Sequence, residues 1–171
     1  MSTVPETKIV KPEVPGQNAP GFEFLLDEAS RAFGYLHVTI LAWSAERSSL
    51  TRIYSTDPDE FPVGGEKFMP ADAEWLQTVI VHRRPHALWT KKAIKEYYND
   101  ADAILGLGAG ALLSIPIILD DDKVLGAINC MGKSYTEKDL EAMIAAAPKA
   151  VQGVSSWVRD GRRSLGAQVV E

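Results

Sequence analysis

The stretch from Ile104 to Met131 constrains the fold more than any other part of this chain. It contains two apolar runs, Ala-Leu-Leu-Ser-Ile-Pro-Ile-Ile-Leu and Val-Leu-Gly-Ala-Ile-Asn-Cys-Met, separated by Asp-Asp-Asp-Lys. Runs rich in β-branched residues around a short polar turn predict a β-hairpin. Because proline cannot donate to a neighbouring strand, we expect Pro116 at a bulge or beside no partner strand. Gly126, inside the second run, predicts a bulge or a close backbone approach.

This hairpin carries a resemblance to a known family. Gly-Ala-Leu-Leu-Ser-Ile-Pro-Ile, a turn and Val-Leu-Gly-Ala-Ile-Asn resemble the paired strands near the end of a GAF domain. The resemblance extends from about Gly21 to about Arg159. It implies an α/β (α+β) sensor module with a central, mostly antiparallel sheet of about five or six strands. It also implies that the terminal helices cover one face, and that loops and short helices cover a ligand pocket on the other.

Length and composition indicate one globular domain. The 171 residues are 46% hydrophobic, which is enough to bury a core. We place the domain at residues 21–160, between a flexible proline-rich tail at 1–20 and a second tail at 161–171. The net charge of −5 argues against non-specific binding to nucleic acid or an anionic membrane. No stretch has the pattern of a signal peptide or a membrane span, so we expect a cytoplasmic protein.

Periodicity and turn residues predict the remaining elements. We expect a long loop, with glycines and prolines typical of a binding loop, from Ser55 to Gly65. Thr136 and Asp139 predict a capping box before the last helix, which Pro148 should kink without ending it. The predicted helices are 21–33, about 72–84 and 137–159, and residues 91–98 are expected to form a short polar helix or a turn. The further predicted strands are 35–43, 50–55 and 86–89.

Alternation along the strands assigns two faces to the sheet. One face is apolar and should receive the terminal helices; it is formed by Leu36, Val38, Ile40, Leu113, Ile115, Ile117, Ile128 and Cys130. The opposite face mixes aromatic, hydroxyl and amide groups, and a solvent-washed face would be more charged. We therefore expect it to be covered and to hold a small-molecule pocket. The predicted ligand-binding residues are Thr39, Leu41, Trp43, Arg52, Tyr54, Trp75, Trp89, Ser114 and Asn129.

Other patterns have simpler explanations than catalysis. The glycines at 106, 108 and 110 precede a strand rather than a helix, which argues against a phosphate loop. Pro85 breaks the helix between His82 and His86, so their spacing does not predict a metal site. Three successive aspartates, Asp120–Asp122, suit a solvated turn. Cys130, the single cysteine, lies on the apolar side of its strand and is expected to be a buried, inert thiol.

These observations favour a small-molecule-binding regulatory module without catalysis, cofactor or metal. Two other classes stay open: a redox or hydrolytic enzyme using the same pocket, and an interaction module whose pocket is filled by its own side chains. A redox enzyme resembling free methionine-(R)-sulfoxide reductase would need a second, resolving thiol. The motifs of cyclic-nucleotide, bilin and haem members are not found, so the resemblance does not identify the ligand.

The apolar residues of the last helix also predict self-association. Leu140, Ile144, Ala147, Val151, Val154 and Val158 recur at heptad spacing, a wider set than is needed to cover a sheet. We expect a homodimer through the helices 21–33 and 137–159, with Trp157 near the centre of its interface. The alternative is that Trp157 packs on its own sheet.

Overall fold

Six strands pair antiparallel in one sheet in the order β3-β2-β1-β6-β5-β4. In this computed structural model the described residues are 22–25, 28–99, 101–120 and 122–170, with side chains described as far as residue 160 of the last helix. The tail predicted at residues 1–20 lies outside them. The strands are β1 (His37–Ser44), β2 (Ser49–Ser55), β3 (Glu66–Phe68), β4 (His86–Leu88), β5 (Ala111–Ile118) and β6 (Val124–Gly132). This sheet, flanked by helices, confirms the predicted α+β class.

The predicted central hairpin is formed by β5 and β6. Pro116 lies opposite Ala127 of β6, and β4 pairs only with Leu112–Ser114 of β5. Among the described residues, no strand pairs with β5 at Pro116 on its other side, as expected. Gly126 lies beside a register shift in the hairpin, and a Cβ added to it would come within 1.9 Å of the Leu41 carbonyl oxygen. Only glycine lets β1 approach so closely.

The helices from the two ends of the chain pack on the same face of the sheet, as expected from the sequence. They are a 3-10 turn (Glu23–Leu25), α1 (Glu28–Ala32), α4 (Glu137–Ala146), a second 3-10 turn (Ala147–Ala150) and α5 (Val151–Val170). Thr136 and Asp139 form the predicted capping box. Pro148 lies in the second 3-10 turn, which joins α4 directly to α5. The described residues of the first predicted helix form the 3-10 turn and α1. The backbone of α5 continues into the segment predicted as a C-terminal tail.

The helices and one face of the sheet enclose the main core. Its strand residues include Val38, Ile40, Leu113, Ile115, Ile117, Ile128 and Cys130, which meet Phe22, Leu25, Ala29, Met143 and Val154 from the helix layer. All of them are at most 3% exposed. The predicted apolar face is therefore the face that the helices cover, except that Leu36 precedes β1, is only half-buried and lies outside this core.

A second layer covers the opposite face, which we call the covered face. It contains a π-helix (Leu76–Val81), α2 (Lys91–Tyr97), α3 (Ala101–Gly106) and residues of the loop between β2 and β3. The π-helix is marked by a hydrogen bond from the His82 amide to the Gln77 carbonyl (2.9 Å). Among the described residues, no helix combines the length and the apolarity that a bilayer span requires.

The close approach at Gly126 predicts that Gly126→Ala lowers the free energy of unfolding by about 2–3 kcal/mol, because the new methyl group overlaps the backbone of β1. Urea denaturation measures the change. Gly65→Ala is the matched control: no atom lies within 4 Å of its added Cβ, so a change below about 0.5 kcal/mol is expected. Equal effects of the two substitutions would contradict the explanation.

Candidate functional site

A row of five polar residues crosses the covered face. Cross-strand pairing places Ser55 opposite Thr39, Thr39 opposite Asn129, Asn129 opposite Ser114 and Ser114 opposite His86. Directly opposed residues of antiparallel strands point to the same face. The five side chains therefore form one continuous line over β2, β1, β6, β5 and β4. We call it the polar row.

Apolar clusters border the polar row on both sides. One contains Met131, Leu112 and Leu88, which lie opposite one another on β6, β5 and β4 and pack with Phe61, Ile94 and Ile104 of the covering layer. The other contains Leu41, Trp43, Leu50 and Ala127 of the sheet with Trp75 and Val79. Tyr97 packs against both clusters. Hydroxyl, amide and imidazole groups are thus enclosed between apolar walls, an arrangement typical of small-molecule sites.

Two atoms of the polar row are buried without a hydrogen-bond partner among the described residues. They are Asn129 Oδ1 and His86 Nδ1. Ser114 is satisfied differently, because the Trp75 indole Nε1–H donates to its Oγ at 3.0 Å. Leaving a buried polar atom unpaired costs about 1–3 kcal/mol. Asn129 and His86 therefore provide hydrogen-bonding capacity that a bound molecule or water can use.

Burial favours the neutral form of the His86 imidazole. Burial lowers the pKa of its imidazole, and the Glu74 carboxylate opposes that shift. Its Nε2 lies 3.8 Å from Glu74 Oε1, and its ring centroid lies 4.8 Å from that of Tyr97. The neutral ring presents one nitrogen as a donor and the other as an acceptor, according to its tautomer.

Seven of the nine predicted site residues share the covered face. Thr39, Ser114 and Asn129 lie in the polar row itself. Leu41, Trp43 and Trp75 belong to the neighbouring apolar cluster. Arg52 lies opposite Leu41, with its guanidinium carbon 5.4 Å from the centroid of the Phe61 ring. The sequence therefore placed most of these side chains on the face that the second layer covers.

The predicted position of Tyr54 is wrong. Tyr54 is 1% exposed in the helix-side core, where its ring packs edge-on against Phe22 with centroids 5.6 Å apart. The register passes from Ile40–Tyr54 to Leu41–Arg52, leaving Ile53 as an extra residue in β2. This β-bulge interrupts the two-residue alternation from which the face was predicted. Burial raises the pKa of the Tyr54 hydroxyl to about 12.

Trp89 is separate from the other predicted site residues. It follows β4, is 36% exposed and belongs to none of the apolar clusters of the described residues. Cys130, by contrast, is 0% exposed on the helix side, and burial raises the pKa of its thiol to about 12. The prediction that Cys130 is buried is confirmed.

The predicted ligand-binding residues did not include His37, Ser55, Phe61, His86 and Tyr97, although alternation along the first strand puts His37 on the same face as Thr39. His86 was considered only as a metal ligand with His82, which is exposed at the end of the π-helix. No group of three or more candidate metal ligands occurs in the part of the chain that the structure describes. Alternation of His86 with Leu88 in a short strand was the one signal that could have placed it on the covered face.

His37 of β1 contacts the loop that follows β2 through a hydrogen bond and a ring stack. Its Nδ1 is hydrogen-bonded to Thr56 Oγ1 (2.7 Å), and the same oxygen accepts from the Val38 amide (3.0 Å). The imidazole stacks on Phe61 with centroids 4.6 Å apart. Burial lowers the pKa of His37 to about 4, and the nearby Arg52 also lowers it, against the attraction of Asp57. His37 is therefore a neutral packing group in this fold.

Comparison with known proteins identifies the family. A family model described as GAF domain matches residues 22–152, and the chain belongs to that family. A search of curated proteins gives no match.

Solved structures share the fold at low sequence identity. The GAF domain of a two-component sensor histidine kinase from Bacillus halodurans has a TM-score of 0.61 at 12% identity, covering 82% of this chain and 95% of that one. A GAF domain/HD domain protein from Geobacter sulfurreducens has a TM-score of 0.60 at 12% identity, covering 81% and 94%. A type II free methionine-R-sulfoxide reductase from Thermoplasma acidophilum has a TM-score of 0.53 at 11% identity, covering 77% and 85%.

The lowered pKa of His37 predicts acid sensitivity. The unfolded chain takes up a proton below about pH 6.5 whereas the folded protein resists until about pH 4, so stability is lost as the pH falls through that window. We expect His37 to account for roughly 2–3 kcal/mol of the loss between neutral pH and about pH 4.5. Urea denaturation at the two pH values should show a correspondingly smaller loss in His37→Gln. The control His82→Gln alters an exposed imidazole and should leave the wild-type loss; an undiminished loss in His37→Gln would refute the assignment.

Proposed function

We propose that this protein is a sensory or regulatory module that binds a small organic molecule along the polar row and catalyses no reaction. The observation that carries the proposal is the pair of unpaired buried atoms, Asn129 Oδ1 and His86 Nδ1, between two apolar clusters. The similarity to the GAF domain of a two-component sensor histidine kinase supports a sensory role.

The side chains favour an uncharged polar ligand. Ser55, Thr39, Asn129 and Ser114 carry no charge, and His86 is kept neutral by burial. The Arg52 guanidinium on the same face donates to the Pro62 carbonyl (3.2 Å) and lies over the Phe61 ring instead of entering the polar row. An ion moved between apolar walls without a partner of opposite charge would lose its hydration without compensation. A planar molecule with a hydrogen-bond donor for Asn129 Oδ1 fits this chemistry, because Trp75 and Tyr97 supply aromatic surfaces beside the row.

Two alternative functions are less well supported. A reductase resembling the sulfoxide reductase would need an accessible thiolate, whereas Cys130 is buried on the opposite face with a raised thiol pKa. A pure interaction module would have a face filled by its own side chains, and the Trp75–Ser114 hydrogen bond is the observation in its favour. The open depression along residues 148–159 lies on the helices and shares no residue with the polar row.

The ligand proposal is tested by Asn129→Leu, which preserves the side-chain size and removes the acceptor. Native mass spectrometry of the purified wild type should reveal a non-covalently bound small molecule, and the variant should lose at least about tenfold in occupancy or affinity, equivalent to 1.4 kcal/mol. Tyr54→Phe is the matched control, since it removes a polar atom from the helix side and should leave the ligand bound.

The filled-face alternative makes the opposite prediction. In that case no molecule accompanies the wild type, and Asn129→Leu raises the free energy of unfolding by about 1 kcal/mol because it removes an unpaired acceptor. That combination of results would reject ligand binding.

We also propose the homodimer through the terminal helices. Ile144 on α4 is 46% exposed, while Leu140, Val151, Trp157 and Val158 are only partly buried against the helix-side core. Trp157 contacts the core of its own subunit, which also agrees with the alternative that it only packs there. The proposed dimer therefore depends on the apolar surface of these helix residues that remains exposed. A two-fold contact would use each of these residues twice.

Light scattering coupled to size exclusion should give a dimer for the wild type and a monomer for Trp157→Glu, because a carboxylate cannot be buried unpaired in an apolar interface. Phe68→Glu is the control. Phe68 is 59% exposed on β3, away from the helix layer, and its substitution should leave the dimer intact. A wild-type monomer at micromolar concentration, or a dimeric Trp157→Glu, would reject this interface.

A further inference from the structure

Positive charge is concentrated in one segment of this acidic chain. Residues 75–95 contain no aspartate or glutamate and hold five of the 18 lysines and arginines. The remainder carries 13 basic against all 23 acidic residues, a net charge of −10. The five cations are Arg83, Arg84, Lys91, Lys92 and Lys95. With the exposed Trp89, we call them the basic patch.

The basic patch flanks the free edge of the sheet at β4. Arg83 and Arg84 directly precede β4, Trp89 directly follows it, and the lysines lie on α2. On an α-helix, positions 91, 92 and 95 fall within about 100° of arc. All five cationic side chains are exposed, and none makes an ion pair or side-chain hydrogen bond within the part of the chain that the structure describes.

Local folding does not account for these cations. Arg83 has a φ of 56°, a left-handed conformation that costs a non-glycine residue of the order of 1 kcal/mol and suits glycine or asparagine better. Lys91 and Lys92 occupy the first turn of α2, which has no acidic residue, although the helix dipole there favours negative charge. The positive charge of Lys91 and Lys92 is thus placed where it weakens the fold slightly, so contacts within the described residues do not explain it.

We propose that the basic patch docks an acidic segment of a partner protein, and that this contact is distinct from the ligand site on the covered face. A short acidic segment can match the basic patch in length, so its negative charges need not extend over the acidic surface around the patch. Nucleic acid or an anionic bilayer extends further and would bring its phosphates close to the strongly acidic remainder of the chain. Trp89, 36% exposed, offers an aromatic anchor of the kind that dominates protein–protein contacts. The partner is therefore an acidic segment that also carries an apolar side chain.

The test is a binding measurement with defined probes. A fluorescent peptide of glutamates around a central leucine should bind the wild type at low ionic strength, more weakly as salt is added, and its glutamine counterpart should not bind. The variant Lys91→Glu/Lys92→Glu/Lys95→Glu should lose at least about tenfold in affinity. Acidic residues suit positions 91 and 92 in the first turn of α2, and Lys95 in its last turn is exposed, so this variant is expected to fold; circular dichroism checks it.

A matched variant separates the patch from overall charge. Lys67→Glu/Lys123→Glu/Lys138→Glu makes the same change in net charge at exposed lysines elsewhere and should change the affinity less than about threefold. Trp89→Ala should weaken binding both at low ionic strength and with added salt, because salt does not screen the apolar contact that the indole ring provides. Absence of binding at low salt, equal losses in the two triple variants, or binding of the glutamine peptide would overturn the proposal. Tighter binding of a single-stranded oligonucleotide or of phosphatidylserine vesicles through the same lysines would overturn the assigned partner.

Discussion

The pairing of β6 between β1 and β5 is the constraint on which both faces of the sheet depend. One register places Ile128 and Cys130 towards the helices and Asn129 and Ala127 towards the covering layer. A slip by one residue would bury Asn129 in the main core and bring Cys130 into the polar row. Gly126 helps to fix this register, because the backbone of β1 leaves no room for a side chain at that position.

The same register explains which parts of the structure the sequence could reveal. The central hairpin, the capping box at Thr136 and the helix-facing residues other than Leu36 depend on local patterns and were predicted correctly. Thr39, Ser114 and Asn129 were placed on the correct face because each lies in a strand with uninterrupted alternation. Their alignment into one row, however, depends on which residues of different strands stand opposite each other, and no local pattern contains that information.

The errors have physical causes of the same kind. Tyr54 was assigned to the wrong face because a bulge adds Ile53 to β2, and the sequence around it is an ordinary alternation. His86 was overlooked because its strand has only three residues, too few for a clear period. The covering layer contributes Phe61 and Tyr97 through long-range packing, which sequence spacing does not report. Predictions thus failed where tertiary contacts, rather than local preference, decided the position of a side chain.

The bulge in β2 also fixes the register in which that strand pairs with β1. Ile53 and Tyr54 are consecutive residues that both belong to the helix-side core, whereas Arg52 faces the other layer. An uninterrupted strand can slide by two residues and still present apolar groups to the core, but here such a step would carry the Arg52 guanidinium to the position that Tyr54 occupies. The cost of burying that charge makes the shifted pairing inaccessible. A local irregularity, rather than additional hydrogen bonds, thereby protects the sheet from misalignment during folding.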